Sequence, residues 1–212
     1  FAGFTHAPAE ILARGLIDVA PPGLAHVFYS DSGSTAVEVA LKMALGYWHN
    51  RGEARHRIMV MQHSYHGDTI GAMSVGERGV YNRSYQPLLF DVGTIPFPHA
   101  GGEQASYDAL EQACRTGNIA AFIVEPLVLG AGGMLIYPPA VLAQLRAICA
   151  RHNVLFIADE VMTGWGRTGT LLACEQAGVV PDILCLAKGL TGGSMPLAVT
   201  LASEPIFDAH CS

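Results

Sequence analysis

The chain has 212 residues, half of them hydrophobic, which is enough to bury a substantial core in one large domain. Its net charge of −6 and the lack of a basic cluster argue against a nucleic-acid-binding surface. The most apolar stretch, residues 119–143, is interrupted by Glu125 and by several glycines and prolines, so no membrane span is predicted.

The first half of the chain alternates helical and extended patterns. Residues 8–19 carry apolar side chains at helical spacing and predict a helix that the following prolines end. A strand at 27–29, a helix at 35–49 and a strand at 58–61 come next. Residues 76–102 are rich in glycine, proline and aromatic residues, which predicts an irregular loop near a functional surface.

The second half continues this alternation. In chain order it predicts a helix at 106–116, a strand at 120–124, a helix at 139–152, a strand at 154–158, a short helix at 170–177, and strands at 183–187 and 198–202. The last residues read as the start of another helix, so we expect the sequence to be a piece of a longer protein. Alternating strands and helices predict an α/β fold with a mostly parallel sheet.

Two of the apolar runs end on residues that can do chemistry. The run 154–158 leads into Asp159, and the run 183–187 leads into Lys188. Ligands bind beyond the carboxyl ends of parallel strands, where both side chains would project. An amine there can form a Schiff base with the aldehyde of pyridoxal phosphate, while a carboxylate pairs with the pyridinium nitrogen. The pattern therefore predicts a pyridoxal phosphate site.

The segment Asp-Ser-Gly-Ser-Thr at 31–35 lies between a predicted strand and a predicted helix. Its small residues allow backbone N–H groups to approach an anion at a helix start. Taken alone, the segment favours simple N-capping by Ser34 or Thr35. Because the stretches 33–34, 65–68, 159–160 and 188 each follow a predicted strand, we expect one shared site and favour phosphate binding.

The glycines at 164, 166 and 169 match the dinucleotide fingerprint G-x-G-x-x-G. That fingerprint requires glycines directly after a strand and an acidic residue at the end of the next strand. Here residues 159–163 intervene, and the following acid, Asp182, precedes its strand. The match therefore does not favour NAD binding.

The loop after the 58–61 strand contains two histidines, Tyr65 and Asp68. A metal cluster is one interpretation, although no further motif completes a ligand set, and a plain polar loop is another. We favour Tyr65 stacking on a flat cofactor. Arg167 is either an anion contact for a substrate or half of an ion pair with Glu160 or Asp68, and Glu125 either supports the site or is a structural acid.

The segment D-E-V-M-T-G-W-G-R-T-G at 159–169, followed by L-A-K-G-L-T-G-G at 186–193, resembles the class III pyridoxal-phosphate aminotransferases of fold type I. Within this class, S-D-S-G-S-T-A-V-E-V-A-L-K-M-A at 30–44 and Y-H-G-D-T-I-G-A-M-S at 65–74 resemble the branch that works in biotin synthesis. Many class III members have Gln where this chain has Met162, and the biotin branch also lacks that Gln.

The resemblance implies a fold. Residues 1–212 would form the pyridoxal-phosphate-binding large domain of a fold type I enzyme, with three α/β/α layers. Earlier N-terminal and later C-terminal segments of the family would be missing. The resemblance also implies a homodimer with its active site at the subunit interface.

The resemblance further implies roles for individual residues. Lys188 would bond to the cofactor and act as base and acid in a 1,3-proton shift, and Asp159 would keep the pyridine nitrogen protonated. Gly33 and Ser34 would bind the phosphate. Tyr65 would stack on the ring as a catalytic and substrate-lining residue, and Val161 would pack against the opposite ring face. Lys188, Tyr65 and Arg167 are the expected substrate contacts, and no metal is expected.

The implied reaction is ping-pong transamination of small-molecule substrates. The acceptor would be 8-amino-7-oxononanoate and the amino donor S-adenosylmethionine, with lysine as another donor to test. Two alternatives stay open: a class III enzyme for another ω-amino acid or diamine, and a non-catalytic binding protein on the same fold. The five cysteines are odd in number and form no C-x-x-C motif, which predicts free thiols in the cytoplasm.

Overall fold

The computed structural model describes residues 3–211. The helices in this range are α1 (Ala7–Val19), α2 (Gly33–Asn50), α3 (Ile70–Ser74), α4 (Glu103–Cys114), α5 (Pro139–Arg151) and α6 (Glu204–His210). The strands are β1 (Leu24–Ser30), β2 (Arg57–Met61), β3 (Gly93–Ile95), β4 (Ile119–Val124), β5 (Val128–Leu129), β6 (Leu135–Ile136), β7 (Leu155–Asp159), β8 (Ile183–Leu186) and β9 (Ala198–Ser203). Short 3₁₀ helices lie at Arg83–Leu88, Ala173–Ala177 and Lys188–Leu190.

Within the described residues, seven strands form one sheet in the order β1-β9-β8-β7-β4-β2-β3. The strands from β8 to β3 pair in parallel, whereas β9 runs antiparallel to both of its neighbours. The central strands β4, β7 and β8 are buried along their whole length. The expected α/β class with a mostly parallel sheet is confirmed.

Helices cover both faces of this sheet and give it two hydrophobic cores. One core includes residues of α1, α4 and α5, and the other includes residues of α2 and α6. Neighbouring positions on a strand alternate between them: Phe156 belongs to the first core and Ile157 to the second. Each such fully buried side chain contributes about 1.5–3 kcal/mol of hydrophobic stabilisation. The three α/β/α layers therefore follow from strands that are apolar on both faces.

Several local elements differ from the sequence-based prediction. The region 76–102 is not wholly irregular, because it contains a 3₁₀ helix and the edge strand β3, which pairs with β2. A three-residue strand that starts with Gly93 has no apolar alternation to reveal it. The helix predicted at 170–177 is a shorter 3₁₀ helix, Ala173–Ala177. The helix α3 and the β5–β6 hairpin were not predicted.

Candidate active site

The candidate site is a cavity of about 340 Å³ at the edge where the parallel strands end. The stretches 33–34, 65–68, 159–160 and 188 each contribute at least one residue to its lining. The lining includes Gly33, Ser34, Tyr65, His66, Glu125, Asp159, Val161, Met162 and Lys188. The fold thus brings together residues that lie as far apart in sequence as Gly33 and Lys188, about three quarters of the described chain.

Asp159 is the last residue of β7, and its carboxylate is held from two sides. Oδ2 lies 2.7 Å from Nδ1 of His66, and Oδ1 accepts a hydrogen bond from the Val161 N–H at 3.1 Å. Asp159 and His66 are both buried. A buried carboxylate fixed in direction is suited to hold a proton on a ring nitrogen, because its electrostatic effect is little screened by water.

Lys188 follows β8, the parallel neighbour of β7, and Asp159 pairs in register with Cys185 of that strand. Its side chain is exposed at the cavity. Its φ of 39° lies in the left-handed region that side chains other than glycine avoid. Such a conformation costs about 1–3 kcal/mol and is found most often at functional sites.

Glu125 lies directly after β4 and is buried against the cavity. Its carboxylate accepts hydrogen bonds from the N–H of Tyr65 at 3.0 Å and from the N–H of Gly130 at 2.9 Å. Burial raises the pKa of this carboxyl, and the nearby His66 opposes that effect. Glu125 therefore fixes the position of the Tyr65 main chain.

The N-terminus of α2 points its first turn at the cavity. The N-cap is Ser32 and not Ser34 or Thr35: Ser32 Oγ accepts from the Thr35 N–H at 3.2 Å, and Thr35 Oγ1 accepts from the Ser32 N–H at 3.0 Å. This capping box leaves Gly33 and Ser34 at the cavity. A methyl group on Gly33 would lie 2.7 Å from Cγ1 of Val161, so any larger residue there would displace Val161.

Tyr65 stands at the mouth of the cavity, half exposed. Its hydroxyl donates to Asp68 Oδ2 at 2.9 Å, and the Asp68 N–H in turn donates to Ser34 Oγ at 3.0 Å. Burial, together with the hydrogen bond to Asp68, raises the pKa of Tyr65 to about 12. The phenol therefore stays protonated at physiological pH.

Arg167 is exposed and does not line this cavity. The alternative ion pair with Glu160 or Asp68 is wrong, since Arg167 forms no ion pair within residues 3–211. Glu160 is buried and accepts hydrogen bonds from the N–H groups of Ala173 at 2.7 Å and Cys174 at 2.8 Å. It holds the chain that connects β7 to β8.

Sequence reasoning did not find the contacts of His66, Glu125 and Asp68. Each follows a predicted strand, which was the only available signal, and the partner of His66 is 93 positions away. No group of three or more His, Cys, Asp or Glu residues in the described part of the chain could hold a metal ion.

The side chains present fit pyridoxal phosphate, the cofactor that the sequence predicts. The start of α2 can receive a phosphate. Asp159 can pair with a protonated ring nitrogen, and Tyr65 and Val161 can enclose a flat ring. The exposed amine of Lys188 can reach an aldehyde at the cavity.

Known proteins similar to this chain are aminotransferases. The sequence profile of the class III aminotransferases matches residues 1–212. The chain is 53% identical to the adenosylmethionine-8-amino-7-oxononanoate aminotransferase of Synechococcus elongatus, over 100% of this chain and 52% of that protein. It is 44% identical to the enzyme of the same name from Geobacter sulfurreducens, over 98% of this chain and 49% of that protein.

Two solved structures have the same fold. The adenosylmethionine-8-amino-7-oxononanoate aminotransferase of Methanocaldococcus jannaschii superposes with a TM-score of 0.92 at 37% identity, over 99% of this chain and 49% of that chain. An amine transaminase from an uncultivated Pseudomonas species, in its pyridoxal-phosphate-bound form, has a TM-score of 0.93 at 39% identity, over 99% of this chain and 50% of that chain. The chain spans about half the length of the relatives it matches.

Proposed function

The chain belongs to the class III aminotransferase family, and from this we propose that it is the cofactor-binding part of a pyridoxal-phosphate-dependent transaminase. One observation carries the proposal: Asp159 ends one strand, Lys188 follows the adjacent parallel strand, and both line one cavity with the N-terminus of α2. A neighbouring structure of this family is described as bound to pyridoxal phosphate.

When bound, pyridoxal phosphate supplies an electron sink that stabilises negative charge on the substrate carbon. The residues of this chain would bind and orient the cofactor and move the proton. Lys188 would take the proton from that carbon and deliver it to the carbon that carried the cofactor's aldehyde, which is the 1,3-proton shift of transamination. Asp159, oriented by His66, holds the ring nitrogen protonated. Gly33 and Ser34 bind the phosphate, and Tyr65 and Val161 cover the two faces of the ring.

For the substrates, we propose transfer of an amino group from S-adenosylmethionine to 8-amino-7-oxononanoate, giving 7,8-diaminononanoate for biotin biosynthesis. Support comes from relatives of that name at 53% and 44% identity. A second candidate is transamination of another ω-amine, because similar structures at 30–39% identity are described as amine or omega transaminases. A purely non-catalytic role is disfavoured, because binding alone needs neither Asp159 nor Lys188.

The proposal is tested with the protein at its full natural length. An absorbance spectrum with pyridoxal phosphate, recorded before and after borohydride and followed by peptide mapping, should place the label on Lys188. Lys42, the other lysine of these 212 residues, is the internal control. An amine-donor screen with S-adenosylmethionine and lysine, read out as diaminononanoate, then tests the substrates. Label on Lys42 alone would refute the cofactor site, and labelled Lys188 without product would refute only the substrates.

The remaining parts of the proposal concern assembly and location. We propose a homodimer with the active site at the subunit interface, supported by the exposed apolar side chains of Val80, Tyr81 and Leu88. Val80 and Tyr81 line a second cavity together with Asp68. We also propose a cytoplasmic location, since the five cysteines are free. No helix of the described chain is long and apolar enough to cross a membrane.

A further inference from the structure

The residue after Lys188 is packed against an aromatic ring. A methyl group on Gly189 would lie 2.7 Å from both Cβ and Cδ1 of Trp165. Gly189 does not itself have a positive φ, whereas Lys188 before it does. The need for glycine at this position therefore comes from the contact with Trp165 and not from the backbone conformation.

Trp165 belongs to the segment that follows Asp159, and hydrogen bonds of its two neighbours hold it in place. It lies in the turns after β7, with the Gly164 N–H donating to the Glu160 carbonyl at 3.0 Å and the Gly166 N–H donating to the Leu171 carbonyl at 3.1 Å. Trp165 has a φ of 63°, so its own main chain is also unusual. The ring thus connects the end of β7 to the start of the turn after β8.

The indole ring is fixed by packing. It packs against the hydrophobic core that includes Leu172 and Leu186. Its N–H is buried and has no partner in the described part of the chain. A buried tryptophan usually finds a partner for this group. The position of the indole ring therefore depends on its contacts with Gly189 and the core and not on a hydrogen bond.

We propose that Trp165 is a positioning residue for Lys188. The ring holds the main chain at Gly189, so that Lys188 keeps its positive φ and directs its amine into the cavity. This inference rests on the proposed function, because the direction of the amine matters only for a bond to the cofactor. Without the ring, Lys188 relaxes towards a negative φ and its amine leaves the productive position.

The test compares two ligands on the apo-protein at its full natural length. Pyridoxamine phosphate has no aldehyde and cannot bond to Lys188, so its affinity, measured by calorimetry, reports the rest of the site. The rate at which pyridoxal phosphate becomes attached to Lys188, followed by absorbance and by borohydride trapping, reports the amine. We expect Trp165→Ala to slow attachment by about tenfold or more, because small displacements of a reacting group have large effects on rate. The affinity for pyridoxamine phosphate should stay unchanged, and Trp165→Phe should restore attachment.

A double-mutant cycle tests the contact itself. Gly189→Ala alone should slow attachment, because its methyl group meets the ring. In a Trp165→Gly background, which removes Cβ as well as the ring and suits the positive φ of this position, the same methyl group should have little effect, since residues in contact are not additive. Trp48→Phe removes the other tryptophan, which is buried in the opposite core, and should leave the attachment rate unchanged.

The outcomes separate the two proposals. Failure of the wild-type protein to attach pyridoxal phosphate at Lys188 refutes the proposed function. Normal wild-type attachment with an equal rate in Trp165→Ala overturns the positioning role, as does a parallel loss of pyridoxamine phosphate affinity. If Trp165→Ala does not fold, an unchanged attachment rate in Gly189→Ala overturns the inference, because its methyl group must displace the ring.

Discussion

At the scale of single residues, the site is built from groups that are costly to place. A carboxylate and an imidazole are buried together, a second carboxylate is buried beside them, and the lysine has a left-handed main chain. Buried charged groups are tolerated only when they are paired or hydrogen-bonded, as Asp159 and Glu125 are. A concentration of such groups in one cavity is typical of an active site.

Replacing Lys188 with alanine should abolish covalent attachment of pyridoxal phosphate and leave the fold intact. The side chain is exposed, so its removal creates no cavity in the core. Absorbance near the visible edge reports the attachment, and circular dichroism reports the fold. Lys42→Ala, on the exposed side of α2, is the matched control and should retain the absorbance. Retained absorbance in Lys188→Ala would show that another lysine binds the cofactor.

Replacing Asp159 with asparagine should lower the turnover rate by roughly 10²-fold or more, because the charge that stabilises the protonated ring nitrogen is lost. Attachment of the cofactor at Lys188 should persist. Steady-state kinetics and borohydride mapping measure these two effects. Asp182→Asn is the control: this carboxylate is ion-paired with Arg146 away from the cavity. An equal loss of turnover in both variants would contradict the role of Asp159.

At the scale of elements, strand ends position the chemistry and helix ends support it. The capping box of Ser32 frees the next residues of α2 for an anion, and Glu160 ties the crossover after β7 to the 3₁₀ helix that precedes β8. The glycines of the G-x-G-x-x-G match serve these turns, since Gly164 donates to Glu160 and Gly166 to Leu171. The same sequence pattern therefore has a structural explanation in this fold.

The helices α4 and α5 are joined by a pH-dependent contact. Glu111 lies 2.8 Å from His152 Nε2 and accepts from Arg151 at 2.7 Å, and these hydrogen bonds lower its pKa to about 2. A lowered folded-state pKa stabilises the protein above the unfolded value of 4.5, and this stabilisation disappears as the pH falls through the folded value. Glu111→Gln should therefore lower the free energy of unfolding at pH 7.

Denaturant unfolding at several pH values checks this expectation. The difference between wild type and Glu111→Gln should shrink from about pH 4.5 towards about pH 2. Asp108→Asn is a suitable control, since Asp108 lies on the same helix and its side chain bonds only to Gln104 within the described residues. A difference that does not change with pH would contradict the role of the ion pairs.

At the scale of the whole molecule, the described domain exposes large apolar side chains whose contact with water is unfavourable. Tyr81 is 98% exposed, and Val80 and Leu88 in the same segment are also largely exposed. Contiguous exposed apolar side chains mark interaction surfaces. The chain spans about half the length of its relatives, and we propose that these side chains contact a second copy of the protein.

Tyr81→Glu should therefore weaken the proposed homodimer of the full natural length protein. A charge placed in an apolar contact loses hydration without gaining a partner. Light scattering coupled to size-exclusion chromatography measures the mass as a function of concentration. Phe207→Glu, an exposed apolar position on α6 outside this segment, should leave the mass unchanged. A dimer that is equally stable in Tyr81→Glu would place the interface elsewhere.

The sequence alone determined the fold class, and it predicted residues that line the candidate cavity. Both depend on local patterns: apolar runs predict buried strands, and the residues after them must meet at one edge of a parallel sheet. Asp159, Lys188, Gly33, Ser34 and Tyr65 lie at the cavity for this reason, and Val161, which only the family resemblance singled out, lies there too. Arg167, which was chosen without a strand-end position, does not.

Only the tertiary structure decided how those residues are held. The contacts of His66 with Asp159, of Glu125 with the main chain of Tyr65, and of Trp165 with Gly189 join segments far apart in sequence. No periodicity records such contacts, because they depend on which strands become neighbours and on how closely their loops pack. The sequence shows which reactive side chains follow each strand. The orientation, burial and pKa of those side chains depend on contacts between segments that only the folded structure brings together.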